Sequence, residues 1–247
     1  METRTISVII PTLQKDKTTL TNLVTSLVKD IVVKEIIIID NSLKGFNFNN
    51  EKVRVIIPKE NLFVNPSWNL GTKEAKSEYI CLANDDIIIP ENLCTNVLNE
   101  ISDRHGIIGA NPNYVINTSY QENNTNSTKI TLDKIKYERP FNFGIIMFLK
   151  KNTYKKIPND LKIFYGDDWL FYQAEKMKKT NAIFSGVNIY HIGSLSSGKY
   201  SDLLKQEGKK YWDYIIPWYK RFLSYMDTKK HLKIYILGFT VNIRKKS

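Results

Sequence analysis

The stretch TISVIIPT at residues 5–12 decides the fold, because it is short, continuous and rich in β-branched residues. A second run of this kind, IIII at residues 36–39, follows it. Strands without polar alternation are typical of a parallel sheet that is covered on both faces. The residues between the two runs have the i, i+3, i+4 spacing of one helical face, at Leu20, Leu23, Val24, Leu27 and Val28. The sequence therefore predicts a β-α-β unit.

The same alternation continues over the first 110 residues and predicts a doubly wound α/β fold. Asn65 and Pro66 suggest an N-cap followed by the first residue of a helix, and Pro90 opens another helix. Further strands are predicted at 53–57, 79–82, 87–89, 145–149, 182–184 and 187–190, and a further helix at 167–179. The asparagine-rich segment 117–127 predicts a surface loop, either a lid over an acceptor or an ordinary variable loop.

Composition and charge narrow the class of protein. With 247 residues, 42% of them hydrophobic and 25% charged, the chain has the composition of an ordered globular protein, not of a disordered or fibrous one. Two cysteines are too few for a disulfide scaffold or a structural zinc site. The net charge of +11 favours an anionic partner, and residues 199–247 hold 12 basic against 4 acidic residues. Without a signal peptide or a membrane-spanning run, we expect a cytoplasmic protein.

Three groups of polar residues are candidates for chemistry. Asn84, Asp85 and Asp86 follow a buried strand, where oxygen ligands suit Mg²⁺ or Mn²⁺ on a diphosphate, although acidic turns are common. Asp167 and Asp168 lie at the start of a predicted helix, among aromatic residues. They either cap that helix, or one of them serves as a general base. His191 follows a strand and is either structural or a metal ligand.

Together these motifs resemble the GT-A glycosyltransferases, in particular the inverting family 2 transferases of bacterial polysaccharide synthesis. The resemblance covers about residues 5–197. It rests on SVIIPT at 7–12, IIDNS at 38–42, EN at 60–61, NLG at 69–71, NDD at 84–86, FYGDD at 164–168 and YHIGS at 190–194. One departure is Phe63, which stands where family members usually have glycine.

The resemblance implies a role for each motif residue. Asp86 and His191 would hold Mn²⁺ or Mg²⁺. The donor, a nucleotide-diphosphate sugar, would lie against Pro11, Thr12, Asp40, Asn69, Asn84 and Asp85. Asp168, with Asp167 beside it, would accept the proton of an acceptor hydroxyl as it attacks the anomeric carbon, so that the configuration inverts. The acceptor would be a glycan or a lipid-linked saccharide.

The resemblance also implies a division of the chain. Residues 1–198 form the GT-A domain, with a nucleotide-sugar half at 1–110 and an acceptor half at 111–198. Residues 199–247 form a basic, aromatic helical extension, in which Tyr211, Tyr214, Ile215, Trp218, Phe222 and Tyr225 make one stripe. That stripe either packs on the domain or contacts an anionic membrane surface on the inner face of the cell membrane.

Other classes of function remain open at this level. A degenerate GT-A fold would bind a sugar or a partner without catalysis. The basic tail would suit a nucleic acid, but it carries no zinc-finger or RNP-type signature, and we expect no nucleic-acid partner. A metal-dependent nucleotidyltransferase would need a glycine-rich phosphate loop, which does not follow Pro11.

Overall fold

The central element of the computed structural model is a sheet of eight strands. The structure describes residues 4–117, 129–135, 138–192, 200–216, 223–227, 231–236 and 239–244. The strands of this sheet are β1 Ile6–Thr12, β2 Val33–Asp40, β3 Val53–Ile56, β4 Tyr79–Ala83, β6 His105–Ala110, β8 Thr131–Lys134, β9 Ile146–Lys150 and β10 Thr180–Ser185. They lie in the order β3-β2-β1-β4-β9-β6-β10-β8. Strands β1 to β4 pair in parallel, as do β6 and β10, whereas β9 runs antiparallel to β4 and β6. The prediction of a mainly parallel α/β sheet is confirmed.

Helices cover both faces of this sheet. They are α1 Lys17–Lys29, α2 Val64–Glu74, α3 Leu93–Glu100, α4 Gly166–Lys176 and α5 Ser201–Ile215. The alternate residues Val8 and Ile10 of β1 pack with α1 and α3, whereas Ile9 packs with α2 and α4. Because successive strand residues point to opposite faces, an uninterrupted apolar strand fills both layers of core at once.

A second, small sheet lies at the edge of the site described below. It consists of β5 Ile87–Ile88, β11 Ile189–His191 and β7 Val115–Asn117, with β11 in the middle. Strand β11 runs antiparallel to β5 and parallel to β7. His191 pairs in register with Ile87, so a residue from late in the chain lies beside the turn that follows β4.

The start of α2 differs from the predicted one. Asn65 is not the N-cap, because the helix begins at Val64 and Phe63 occupies the capping position. Phe63 has φ 66°, a left-handed backbone that glycine adopts without strain, which matches the family's use of glycine there. The carboxamide of Asn65 instead donates to the carbonyl oxygens of Leu161 and Phe164 at 3.1 and 3.0 Å.

The described part of the C-terminal extension is helical only in α5, so the prediction of a helical tail is wrong for the described residues from 223 onward. Strands β12 Leu223–Asp227, β13 His231–Ile236 and β14 Phe239–Arg244 form an antiparallel sheet of their own. Of the predicted stripe, Tyr211, Tyr214 and Ile215 lie in α5 and Tyr225 lies in a strand, whereas Trp218 and Phe222 lie outside the described residues. Most of the predicted loop at 117–127 also lies outside them. Among the described helices, none has the length and apolarity needed to cross a bilayer.

Candidate active site

The first part of the candidate site lies where β1 and β4 end, at the carboxyl edge of the parallel strands, which is where open α/β sheets bind ligands. The hydroxyl of Thr12 donates to Asp85 Oδ2 at 2.6 Å, and the backbone N–H of Gln14 donates to Thr12 Oγ1 at 2.8 Å. Burial raises the pKa of Asp85 to about 6, helped by the charge of Asp86 and opposed by the hydrogen bond from Thr12. Thr12 and Asp85, which the sequence placed on the donor side, are thus in direct contact.

Asp86 and His191 meet beside this contact. His191 Nε2 lies 3.4 Å from Asp86 Oδ1, and the backbone N–H of Ile192 donates to the carbonyl oxygen of Asp86 at 2.9 Å. The other imidazole nitrogen, Nδ1, lies 3.2 Å from Asn117 Oδ1. Asp86 Oδ1 is buried and has no hydrogen-bond partner among the described residues. A buried carboxylate oxygen without a partner costs free energy unless a cation or a donor completes it.

The donor atoms of Asp86 and His191 are of the kinds that bind divalent metal ions. One carboxylate and one imidazole suit Mn²⁺, and a Mg²⁺ ion on a diphosphate is commonly held by only one or two protein carboxylates. Among the residues that the structure describes, no group of three or more His, Cys, Asp or Glu side chains converges to hold a metal. The remaining ligands would have to come from phosphate oxygens and water.

Asp40 lies at the end of β2, in register with Thr12 of β1. Its carboxylate accepts from the backbone N–H and hydroxyl of Ser42 at 3.0 and 2.6 Å and from the N–H of Gly45 at 2.7 Å. Burial alone would raise the pKa of Asp40, but the hydrogen bonds from Ser42, Gln14 and Gly45 outweigh burial and lower it. Pro11 pairs with Ile39 in the same register. Asp40 thus holds the turn that borders this edge of the sheet.

The two predicted asparagines are placed differently from each other. Asn84 follows β4, and its backbone N–H donates to the carbonyl oxygen of Ile145 at 2.9 Å. Asn69 joins α2 to the segment after β9: its amide donates to the Ile157 carbonyl at 2.8 Å, and its oxygen accepts from Tyr154 and from the Ile157 N–H. Because both lone pairs of its oxygen accept hydrogen bonds from the protein, Asn69 links α2 to the segment at residues 154–157 in this structure.

Asp167 and Asp168 form the second part of the site, in the first turn of α4. Both carboxylates pair with Arg139, which the sequence analysis missed. Arg139 Nε and Nη2 reach the two oxygens of Asp168 at 2.8 and 3.1 Å, and Nη1 reaches Asp167 Oδ2 at 3.1 Å. Burial alone would lower the pKa of Arg139, but the two carboxylates raise it above its ordinary value. One guanidinium therefore faces two carboxylates, which leaves a net negative charge.

The pKa of Asp167 reflects its surroundings. Burial raises the pKa of Asp167 to about 6, Arg139 opposes that rise, and the charge of Asp168 adds to it. Neither aspartate is the N-cap of α4, because that position is occupied by Tyr165, which has φ 59° and makes no side-chain hydrogen bond to the helix end. Asp167 Oδ1 does accept from the N–H of Asp168 at 3.1 Å.

A short 3₁₀ turn at Phe143–Ile145 connects the two parts of the site. Ile145 accepts the backbone hydrogen bond from Asn84, two residues before Asp86. Gly144 lies against Asp167, so closely that a Cβ on this glycine would be 2.3 Å from Asp167 Oδ2. The Asp85–Asp86 turn and the Asp167–Asp168 pair therefore flank one turn of chain. This arrangement can hold a cation with an anionic ligand on one side and offer a carboxylate to a second molecule on the other.

Comparisons with known proteins agree with this architecture. The family model described as "Glycosyl transferase family 2" matches residues 7–158. No curated protein sequence matches the chain. Among solved structures, GalNAc-T7 with UDP, GalNAc and Mn²⁺ superposes with a TM-score of 0.66 at 14% identity, over 90% of this chain and 50% of that one.

Two further solved structures are similar with somewhat lower TM-scores. Staphylococcus aureus TarS 1–349 in complex with UDP has a TM-score of 0.57 at 15% identity, over 85% of this chain and 66% of that one. The mannosyltransferase PcManGT from Pyrobaculum calidifontis, with GDP-Man and Mn²⁺, has a TM-score of 0.59 at 10% identity, over 85% and 64%. This chain thus spans about two thirds or less of each neighbour. At these identities the likeness shows the fold, which is the GT-A fold.

Proposed function

The chain belongs to glycosyl transferase family 2, and on that premise we propose that it moves a sugar from a nucleotide-diphosphate donor to a hydroxyl of a glycan or lipid-linked acceptor, with inversion, in surface polysaccharide synthesis. The observation that carries the proposal is that the Asp86–His191 pair and the Asp167–Asp168 carboxylates lie on either side of one turn of chain. The three structural neighbours are described with UDP or GDP-Man, which supports a nucleotide-sugar donor.

On the donor side, Asp86 and His191 would hold Mn²⁺ or Mg²⁺. The buried Oδ1 of Asp86 supports this assignment, because it accepts no hydrogen bond from the described residues and lies 3.4 Å from His191 Nε2. A divalent ion in this place would offset the negative charge of the departing nucleoside diphosphate. Thr12 keeps the Asp85 carboxylate turned toward the end of β1, and Asp40 keeps the 40–45 turn in place beside it. We assign Pro11, Thr12, Asp40, Asn84 and Asp85 to the donor pocket, and we leave out Asn69 because its amide is engaged elsewhere.

On the acceptor side, Asp168 is the base. Both of its oxygens are held by Arg139, so an acceptor hydroxyl must replace at least one of these bonds when it donates to the carboxylate. As the hydroxyl oxygen attacks the anomeric carbon from the face opposite the nucleotide, its proton passes to Asp168, and the bond to the diphosphate oxygen breaks. Asp167 keeps Arg139 next to the base when that exchange occurs.

The variant D168N tests the assignment of the base. We expect the rate of transfer to fall by about 10² to 10⁴-fold, with the affinity for the nucleotide unchanged, because an amide cannot take the proton. The matched control is D202N, which changes an exposed aspartate in the first turn of α5. The measurement is release of nucleoside diphosphate from UDP- and GDP-sugars, with nucleotide binding followed by calorimetry. If D168N retains the rate of the control, Asp168 is not the base.

We also propose that the C-terminal sheet brings the enzyme to an anionic membrane surface. Six apolar residues share one face of the β13–β14 hairpin, because they are direct register partners: Leu232 with Ile243, Ile234 with Val241, and Ile236 with Phe239. Phe239 is 76% exposed, and Ile236, Val241 and Ile243 are between 42% and 47% exposed. An apolar face of this kind that faces solvent is typical of a contact surface.

Charge favours lipid over a second copy of the chain as the occupant of that face. Residues 228–247 contain six Lys or Arg residues and no Asp or Glu. Like charges would repel a second copy, whereas each basic residue near an anionic leaflet contributes about 1 kcal/mol of attraction. Four of the six, at positions 229, 230, 245 and 246, are close in sequence to the strand residues His231 and Arg244 and lie outside the described residues.

Vesicle sedimentation tests this second proposal. We expect the full-length protein to bind phosphatidylcholine vesicles that contain phosphatidylserine and to be released by salt, whereas F239S, which keeps every charge, binds more weakly. Equal partitioning of wild type and F239S with these vesicles would overturn the proposal. So would a concentration-dependent dimer of the wild type that F239S abolishes.

A further inference from the structure

Helix α5 carries a fully buried carboxylate that the proposed mechanism does not use. Glu207 has no solvent exposure and accepts hydrogen bonds from three successive backbone N–H groups. Its oxygens lie 2.8 Å from the N of Lys162, 3.2 Å from that of Ile163 and 2.7 Å from that of Phe164. A carboxylate in this role satisfies backbone donors that would otherwise be buried without partners.

The same segment is held from its other side by the start of α2. Asn65 Nδ2 donates to the carbonyl oxygens of Leu161 and Phe164, and the backbone N–H of Asn65 donates to the carbonyl of Lys162 at 2.9 Å. The N–H groups of residues 162–164 are therefore bonded to Glu207 in α5, and the carbonyl groups of Leu161, Lys162 and Phe164 are bonded to Asn65 in α2. No strand or helix supplies these bonds, so two residues, Glu207 and Asn65, hold the path of the segment.

This segment leads directly into the acceptor carboxylates. After Phe164 the chain passes through Tyr165, with φ 59°, and Gly166, where a Cβ would be 2.0 Å from Asn65 Oδ1. The ring of Tyr165 stacks on that of Tyr211 in α5 at 5.1 Å, and the Tyr211 hydroxyl lies 3.4 Å from the carbonyl oxygen of Asp168. Helix α5 thus contacts the chain both before and at the proposed base.

We infer that Glu207 is a positioning residue for the transfer reaction: by holding the amides of residues 162–164 it sets the place of Asp168 at the acceptor. The inference rests on the proposed function. It also makes α5 part of the catalytic unit, although the sequence analysis assigned it to an appended tail. Glutamine has nearly the shape of glutamate, but it has one acceptor oxygen, and its NH₂ group would face backbone N–H donors. The substitution E207Q should therefore loosen the segment without opening a cavity.

The experiment compares full-length wild type, E207Q and the surface control D202N from the same helix. We expect hydrogen exchange of the amides of 162–164 to quicken in E207Q and to stay unchanged in β1 and α1. Binding of UDP or GDP with Mn²⁺ should stay within two-fold of wild type. The rate constant kcat for release of nucleoside diphosphate from the corresponding sugar nucleotide should fall by about 10- to 100-fold, because small misplacements of a reacting group are costly.

The possible outcomes distinguish the role of Glu207 from the proposed glycosyltransferase function. Unchanged exchange at 162–164, or a rate within two-fold of D202N, would overturn the role of Glu207. Loss of nucleotide binding together with the rate would also overturn it, because Glu207 would then support the whole fold. A wild type that neither binds nor turns over any nucleotide sugar would count against the proposed function, while the exchange comparison would still decide whether Glu207 holds the segment. If E207Q does not fold, E207D keeps both acceptor oxygens on a shorter side chain and is judged in the same way.

Discussion

Replacing Arg139 with methionine removes the single positive charge between two carboxylates and keeps a side chain of similar length. In the folded protein the guanidinium contacts three carboxylate oxygens at 2.8 to 3.1 Å, and the three side chains are between 20% and 26% exposed. Removing one partner from a fully buried ion pair costs about 3–5 kcal/mol. Because a fifth to a quarter of these side chains is exposed, we expect a loss of about 2–3 kcal/mol at pH 7.5.

In a domain of this size that loss corresponds to a fall of about 4–12 °C in Tm. The loss should shrink as the pH falls to 5. Burial and Asp168 already raise the pKa of Asp167 to about 6 in the presence of Arg139, and without it that pKa rises further. In R139M the folded state therefore takes up protons more readily than the unfolded chain, and protonation relieves the repulsion.

The measurement is thermal unfolding of wild type, R139M and the matched control R54M at pH 7.5 and pH 5. Arg54 pairs with Glu74 at 2.9 Å and lies 3.8 Å from Glu35, but Arg54 and Glu74 are 40% and 37% exposed, so R54M should lose clearly less stability than R139M and show little of this pH dependence. If R139M behaves like R54M, or if its loss is the same at both pH values, the ion-pair reasoning is wrong.

Two further predictions concern the same carboxylates. D167N should raise the free energy of unfolding at pH 7.5. A pKa raised from 3.8 to about 6 means that folding opposes the charge by about 3 kcal/mol above pH 6, and loss of the contact with Arg139 offsets part of this, so we expect a gain of about 1 kcal/mol. Equilibrium unfolding should show the gain fading as the pH falls toward 4, and a loss at pH 7.5 would contradict the prediction. G144A should lower the free energy of unfolding by about 1–3 kcal/mol and lower kcat, because the new Cβ would be 2.3 Å from Asp167 Oδ2. Equilibrium unfolding measures the first effect and a rate assay the second. Unchanged values would mean that Gly144 does not contact Asp167 in solution.

Local pattern was enough to predict the layers of the fold. The structure confirms the apolar run at residues 36–39 as part of β2 and the helical spacing from Leu20 to Val28 as part of α1. A strand buried on both faces leaves an unbroken apolar run in the sequence, and a helix buried on one face leaves a regular spacing of apolar residues. The same holds for the carboxyl ends of β1 and β4, where Thr12 and Asp85 meet. Residues that follow parallel strands gather at one edge whatever the details of the loops.

What the sequence could not reveal depends on contacts between distant segments. Arg139 lies 29 positions before Asp168 and has no periodic or motif context, so only the folded chain shows that it pairs with both carboxylates. Asn65 has the residue type of an N-cap, yet its amide is used by carbonyl groups about 100 positions away. The tail has aromatic residues at helical spacing as far as Tyr225, but the described residues from 223 onward form strands, because β-branched and alternating residues favour a sheet there.

Binding of nucleoside diphosphate by the Asp86–His191 site is the most direct test of the account. The measurement is thermal stability with UDP, dTDP and GDP, each with and without Mn²⁺, for wild type and for D86N. One nucleoside diphosphate is expected to raise the Tm of wild type by several degrees only when Mn²⁺ is present, since a ligand at 100 times its Kd adds about 2.7 kcal/mol, and D86N is expected to lose this shift. A shift of the same size without metal, a shift that D86N retains, or no shift with any nucleotide in folded protein would contradict it.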